Sequence, residues 1–417
     1  MDAERPGRLV LAAGVVIALC IVGDSYLYSI LPLEAPNLGI ALPLVGVLLS
    51  ANRLVRLISN TAASDLFARW GPRRPFVFAT VLALLTTAAY ALGRGFTVFL
   101  SARLGWGIAW SALRQGGYQA VWTGGLHQRG RLMGLLWGII RLGSAASVVA
   151  GGYLRDRFGY HAGVYAIMGA TVLALPLALA IRWPATPAAS RRTAPVGQGN
   201  SGEAAAPRGG RSSPQWLTGL QELGRTSAGR QALLAGFIYA MVEGVLISTA
   251  SLFLASRLGS GVLMAGLGAR VGTVAGLVLA VRWTSDILFG PAIGALADRL
   301  GHSRTAVVLA AALLAGVIGV TQLSGVSLVL CLIAVFISSA GLTVTLGAIA
   351  NGLAMAVAHP HHAVGAYTTA TDAGSALGPP LAYSAGLLFG IGRLYIAGAV
   401  VLLTATLWYA RASDRAD

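Results

Sequence analysis

Twelve mostly apolar stretches, each close to the length that crosses a bilayer, govern what this chain can fold into. They run at 9–31, 40–64, 74–93, 96–122, 132–154, 162–183, 232–256, 270–296, 305–323, 327–352, 363–388 and 391–410, and are numbered span 1 to span 12. The hydrocarbon core of a bilayer takes about 20 residues of helix. Lipid offers no partner to a backbone N–H or C=O, so only helices or a closed barrel can cross it. The short alternating segments of a barrel do not occur. Charged residues are 11% of the chain, against about 25% in a soluble domain. The expected class is an all-α integral membrane protein of twelve helices. The run beginning at Leu9 is too long for the apolar part of a signal peptide, so it reads as span 1.

The spans form two sets of six. A shift of 231 lays Gly134 on Gly365, Gly143 on Gly374 and Arg141 on Asp372. A shift of 230 lays Ser64–Gly71 on Gly294–Gly301 and Arg56 on Asp286. The chain therefore reads as a duplicated unit: a first bundle over 1–183, a linker over 184–230 and a second bundle over 231–417. The linker is rich in Gly, Ser, Ala, Pro and Arg and is expected to be cytoplasmic and flexible. Its end, Gln215–Leu223, is either plain linker or a short helix lying along the membrane surface.

A net charge of +16 raises the question of nucleic acid, but its distribution answers differently. All 30 basic residues are arginine. With the N-terminus inside, eighteen fall in cytoplasmic segments, six in outer loops and six within spans. That asymmetry is the positive-inside rule, so the excess reports orientation and contact with anionic headgroups. Both termini are expected in the cytoplasm of a bacterial inner-membrane protein, with a monomer as the working unit and no nucleic-acid partner. Cys20 and Cys331 both lie in apolar runs and suggest no disulfide. His359-Pro-His-His362 reads as a loop cluster rather than a metal site. No phosphate-binding Walker loop is present, and no catalytic triad or metal spacing stands out, so neither a cofactor nor an enzymatic activity is expected.

Ten charges lie inside spans and clear of their ends: Asp24, Arg53, Arg56, Arg103, Arg114, Arg141, Glu243, Arg282, Asp286 and Asp372. Each would cost about 2.5–3.5 kcal/mol at the centre of a lipid-facing helix. Ten would cost roughly 25–35 kcal/mol, well beyond a typical folding stability of about 5–15 kcal/mol. Most must therefore face the bundle interior or a wet cavity. Helical spacing agrees. Asn52, Arg56 and Asn60 make one polar stripe on span 2. Arg103, Gly107, Trp110, Arg114 and Tyr118 share a face of span 4, and Cys20, Asp24 and Tyr28 share one on span 1. Asp24 has no basic residue within a turn on its own helix. A buried carboxylate without a partner is the natural proton carrier, with Glu243 second and Asp286 and Asp372 as further candidates.

Between spans 2 and 3 of each half stands a loop motif of Gly, Asp and Arg. The second half has Gly294, Asp298, Arg299, Gly301 and Arg304. The first has Arg69, Gly71, Arg73 and Arg74, with Ser64 and Ala68 where Gly and Asp would stand and Asp65 one turn earlier. Arg103 and Gly107 supply an Arg-x-x-x-Gly in span 4. Together with two six-helix halves and a long central loop, these resemble the major facilitator superfamily. The resemblance implies a cavity lined by spans 1, 2, 4, 5, 7, 8, 10 and 11, and all ten charges lie on those spans. It also implies a gating role for the loop motif. Span 5 resembles the family's antiporter signature through Gly134, Gly143, Gly151 and Gly152, but has Ser147-Val148 in place of Gly-Pro. Span 11 keeps Gly374, Gly378 and Pro379. These glycines are expected to pack helices closely, and the proline to bend one. The activity implied is secondary active transport by alternating access. Proton-coupled efflux of a small organic solute is the first expectation. Uptake or exchange of an anionic solute, favoured by Arg53, Arg56, Arg103, Arg114 and Arg141, is the second, and lipid or lysolipid movement the third.

Overall fold

The computed structural model describes residues 6–125, 128–184, 215–258 and 270–413. Most of the expected linker and His127 lie outside them. The described residues are helical almost throughout, in the order α1 (Pro6–Glu34), α2 (Leu42–Trp70), α3 (Arg73–Leu92), α4 (Gly95–Trp122), α5 (Arg129–Phe158), α6 (Tyr160–Ala180), α7 (Gln215–Arg225), α8 (Ser227–Leu258), α9 (Val271–Leu288), α10 (Gly290–Leu300), α11 (His302–Gln322), α12 (Gly325–Met355), α13 (Pro360–Phe389) and α14 (Ile391–Ser413). Eleven of these are long and apolar enough to cross a membrane by length and composition. The remaining span, α13, matches them in length at 30 residues but is diluted by Thr, Ser, Asp and two prolines. Those polar residues are tolerable because α13 packs against α8 and α2 rather than standing free.

Span 8 is not one helix. It breaks at Phe289, between α9 and α10, where Pro291 sits in the first turn of α10. Proline lacks the N–H that a continuous helix would need and crowds the preceding turn. The corresponding span 2 has Thr61 there and runs unbroken as α2. Pro379 and Pro380, by contrast, lie inside a continuous α13.

The duplication reaches the backbone. Gly71 and Gly301 have φ of 71° and 90°, Gly95 and Gly325 78° and 57°, and Gly159 and Gly390 86° and 93°. Each pair is separated by 230 or 231 positions and sits at the same turn of its half, where only glycine takes a left-handed φ without strain.

The face carrying Pro6 and Ser413 is here the terminal face. At the opposite face the halves are joined. One apolar cluster runs through both, from Leu27, Ile30, Leu48 and Val148 to Val245, Leu246, Val274 and Val278. Backbones meet there: an added Cβ at Gly152 would overlap the Gly272 carbonyl, and one at Gly276 the Val148 carbonyl. On the other side of the seam, a Cβ at Gly46 would come within 2.6 Å of the Pro379 carbonyl. Small residues allow such contact where a larger side chain would hold the helices apart. Toward the terminal face the halves part. A cleft of about 490 Å³ opens between α5 and the α9–α10 break, lined by Gly134, Trp137, Gly138, Arg141, Asp286 and Pro291. An added Cβ at Gly134 would meet nothing within 4 Å. Gly134 is therefore not a packing contact in this conformation, whereas Gly143 lies on Ala18, Gly374 on Phe237 and Gly378 on Met241 and Gly244.

Candidate functional site

In the first half the site begins where α4 crosses α2. A Cβ at Gly107 would collide with Val55 and the Asn52 carbonyl, so glycine lets the helices close. One turn earlier, Arg103 is thereby driven into α2, where its Nε donates to the Leu48 carbonyl at 2.9 Å. Arg103 is fully buried and forms an ion pair with Asp24 of α1. Asn52 donates to the same Asp24 oxygen at 3.2 Å. The Tyr28 ring lies beneath two guanidiniums, Arg103 at 5.6 Å and Arg53 at 5.7 Å from its centroid. The expectation that Asp24 lacks a fixed partner is corrected here: the partner comes from another helix, which spacing along span 1 could not reveal.

The second half solves the same problem with other residues. Arg282 of α9 is buried between two carboxylates, Glu243 of α8 and Asp286 one turn on at 2.8 Å. Thr343 of α12 takes a further bond from Arg282 at 3.2 Å and joins it to the Tyr239 hydroxyl, 2.6 Å away. Gly374 and Gly378 let α13 lie directly on the α8 backbone. That contact carries Asp372 and Ser375 to the midline.

The two constellations meet across the halves in a crossed pattern. Arg141 of α5 pairs with Asp286 of α9 at 3.2 Å. Arg56 of α2, bonded to the Asn52 carbonyl at 3.0 Å, feels the field of Asp372 on α13 without a direct ion pair. The repeat maps Arg141 onto Asp372 and Asp286 onto Arg56, so these are equivalent positions with their signs reversed, one pair in contact and the other facing without contact. Arg53 reaches α13 as well, donating to the Ser375 carbonyl at 2.7 Å and to its hydroxyl.

Between these groups lies a cavity of about 200 Å³. Asp24, Tyr28, Arg53, Arg56, Trp110, Arg141 and Asp372 line it, as the sequence stripes suggest. Trp106, Trp283 and Ser375 line it too and were not singled out by spacing. Trp106 stands one turn before Trp110, and Trp283 directly follows Arg282, so both positions were open to that reasoning. Asn52 and Arg103 lie behind Asp24 rather than on the cavity. Arg114 and Tyr118 continue the α4 face toward the terminal face; Tyr118 feels both Arg114 and Asp372.

Charge matching leaves a remainder. Asp24 answers Arg103, Asp286 answers Arg141, Glu243 answers Arg282 and Asp372 answers Arg56. Among the described residues, Arg53 and Arg114 have no carboxylate partner.

A second polar group closes the far face, and nothing in the sequence pattern announced it. Arg155 of α5 pairs with Glu34 of α1 at 2.6 Å and with its neighbour Asp156 at 3.0 Å. Asp156 accepts from the Thr273 backbone N–H at 2.7 Å and its hydroxyl at 2.8 Å, satisfying the free N-terminus of α9 from the other half. The loop-motif residues stand elsewhere. Asp65 and Arg69 are on the last turns of α2, Gly71 ends it, and Arg73 opens α3, donating to the Leu179 carbonyl at 3.4 Å. Gly294, Asp298 and Arg299 are on α10, Gly301 ends it, and Arg304 is on α11, with Asp298 3.4 Å from His302.

The end of the linker is a helix, α7, seated on α13 and α8 with Leu223 buried against Ala354, Ala363 and Ala366. Glu222 of α7 accepts from His359 at 2.6 Å, and this bond holds its carboxyl below the usual carboxylate range. His359 stacks on His362, ring centroids 5.2 Å apart. No group of three metal-ligating side chains forms among the described residues.

The model of the Major Facilitator Superfamily matches residues 13–379. No curated protein sequence matches the chain. Solved structures share the fold at low identity. The nucleoside transporter NupG is 12% identical with a TM-score of 0.74, over 97% of this chain and 98% of that one. A bacterial homologue of the human lysosomal transporter Spinster, in an inward-facing and unoccupied conformation, is 14% identical with a TM-score of 0.73, over 99% and 98%.

Proposed function

The chain belongs to the major facilitator superfamily, a transporter family, and from that premise we propose that it carries a small anionic organic solute together with a proton. The observation that supports this reading is the charge remainder. Three carboxylates are ion-paired to arginines and Asp372 lies in the field of Arg56, while Arg53 on the cavity and Arg114 on its approach have no carboxylate left to answer them. An unmatched cation in a low-dielectric site is stabilised by an anionic ligand far more than by a neutral or cationic one.

The crossed pairs supply the coupling. A bound anion competes with Asp372 for Arg56 and with Asp286 for Arg141. A carboxylate that loses its arginine inside the bundle favours its protonated form. Anion and proton thus occupy the site in the same state, and their combined gradients set the direction of net movement. Asp286 and Asp372 take this role in preference to Asp24, whose Arg103 is also bonded to α2 carbonyls and is out of an anion's reach. By the arginine distribution the terminal face is cytoplasmic, so the parted face is the inner one. Alternation then requires the inner cleft to close while the Glu34–Arg155–Asp156 group releases α9 at the outer face.

Transport into proteoliposomes tests this. Uptake of a radiolabelled organic anion is expected to accelerate when the trans side is made alkaline, and Arg53→Gln to abolish it while Arg8→Gln, far from the cavity, leaves it unchanged. Uptake that is indifferent to both Arg53 and the pH gradient would sink the proposal.

A further inference from the structure

The cavity's size, its net charge and its rings together narrow the solute. Resting on the anionic reading above, we infer that the carried anion is a single-ring aromatic monocarboxylate.

Size sets the first bound. The partly open cavity holds about 200 Å³, and an apolar cavity of about 150 Å³ holds one benzene. One ring with its carboxylate fits there, and a second ring would have to extend toward the cleft that shares Arg141.

Charge sets the second. The lining carries three arginines, Arg53, Arg56 and Arg141, against two carboxylates, Asp24 and Asp372. Before the proton binds, one positive charge is left for the ligand, and one carboxylate neutralises it. Arg53 and Arg56 lie one turn apart on the same face of α2, so both can address one carboxylate.

The walls set the third. Trp106 and Trp110 present rings 6.0 Å apart on α4, and Trp283 comes from α9 in the other half. Only Ile21 and Ile247 are aliphatic on the lining. Rings drawn from both halves favour a flat aromatic body over a flexible alkyl chain, because stacked or edge-on ring contacts add to simple burial. A solute gripped by rings and arginines of both halves also ties its own binding to their relative position, as alternating access demands.

Equilibrium binding to the full-length protein in nanodiscs, by calorimetry, tests the inference with four probes. Benzoate is expected to bind saturably. Hexanoate, with the charge and no ring, is expected to bind at least about tenfold more weakly. So is 2-naphthoate, with a second ring, while benzyl alcohol, with no charge, does not bind. Trp110→Ala is expected to weaken benzoate about fivefold to tenfold and Trp110→Phe to restore it. Hexanoate or naphthoate binding as tightly as benzoate would overturn the ring assignment and leave the anionic reading standing. Benzyl alcohol binding while no carboxylate does, or no binding by any carboxylate, would overturn both. The probe series needs only the unaltered chain, so a variant that fails to fold does not blunt it.

Discussion

The first half of this transporter and the second share a backbone and differ in electrostatic sign. Within the spans, the first half carries Arg53, Arg56, Arg103, Arg114 and Arg141 with one carboxylate, Asp24. The second carries Glu243, Asp286 and Asp372 with one arginine, Arg282. Turns stayed alike because their glycines are fixed by a left-handed φ that other residues resist. Side chains on the cavity face no such rule and diverged. The consequence is that neither half neutralises itself. The excess carboxylates of the second half meet opposite charge only across the seam, Asp286 with Arg141 and Asp372 in the field of Arg56, and two arginines remain over. In the proposed mechanism, the interface that opens and closes is also where ligand and proton act.

The largest test of that contrast breaks a pair inside one half. Arg103→Leu leaves Asp24 buried without its cation, which is expected to cost about 3–5 kcal/mol. Replacing Asp24 by leucine as well should recover most of it. Thermal unfolding in detergent measures both, and equal stabilities for the single and double variants would show that the pair is not what holds α1 to α4.

A pair across the halves should behave differently. Arg141→Gln and Asp286→Asn are each expected to lower transport several-fold. Combined, they are expected to do little more than either alone, a coupling of about 0.5–3 kcal/mol in the double-mutant cycle. Additive losses would mean that the contact seen at 3.2 Å does not govern the interface.

Next in size is the division of labour among carboxylates. Asp372→Asn is expected to remove the pH dependence of anion uptake, and Asp24→Asn to preserve it at reduced rate. The reverse result would return the proton to Asp24 and make the closeness of Arg103 incidental to coupling.

The smallest effect lies outside the membrane, at a contact with no mate in the first half. His359 holds the Glu222 carboxyl below its ordinary value of 4.5. A carboxyl lowered in the folded state contributes stability above its unfolded pKa and loses it as pH falls through the folded one. Acidifying from pH 6 to about pH 3 should therefore loosen α7, and Glu222→Gln should flatten that dependence. Limited proteolysis near Arg225 reads it.

The sequence by itself determined that the chain is a membrane helix bundle, that it is doubled, and that its ten in-span charges gather on one set of spans. Those follow from solvent, since lipid punishes an exposed charge or an open backbone wherever the helix ends up. Periodicity also placed Asp24, Tyr28, Arg53, Arg56 and Trp110 on shared faces that the cavity uses. It could not say who meets whom. Asp24 looked solitary because its partner stands 79 positions away on α4. The Asp156 cap on α9 joins residues 117 apart whose local sequence is ordinary. The break in span 8 was written in Pro291, yet an apolar run reads the same whether or not its hydrogen bonds are continuous. Pairing across helices is settled by which backbones can approach, and that depends on small residues such as Gly107 and Gly374 finding a carbonyl to rest on, which only the folded chain decides.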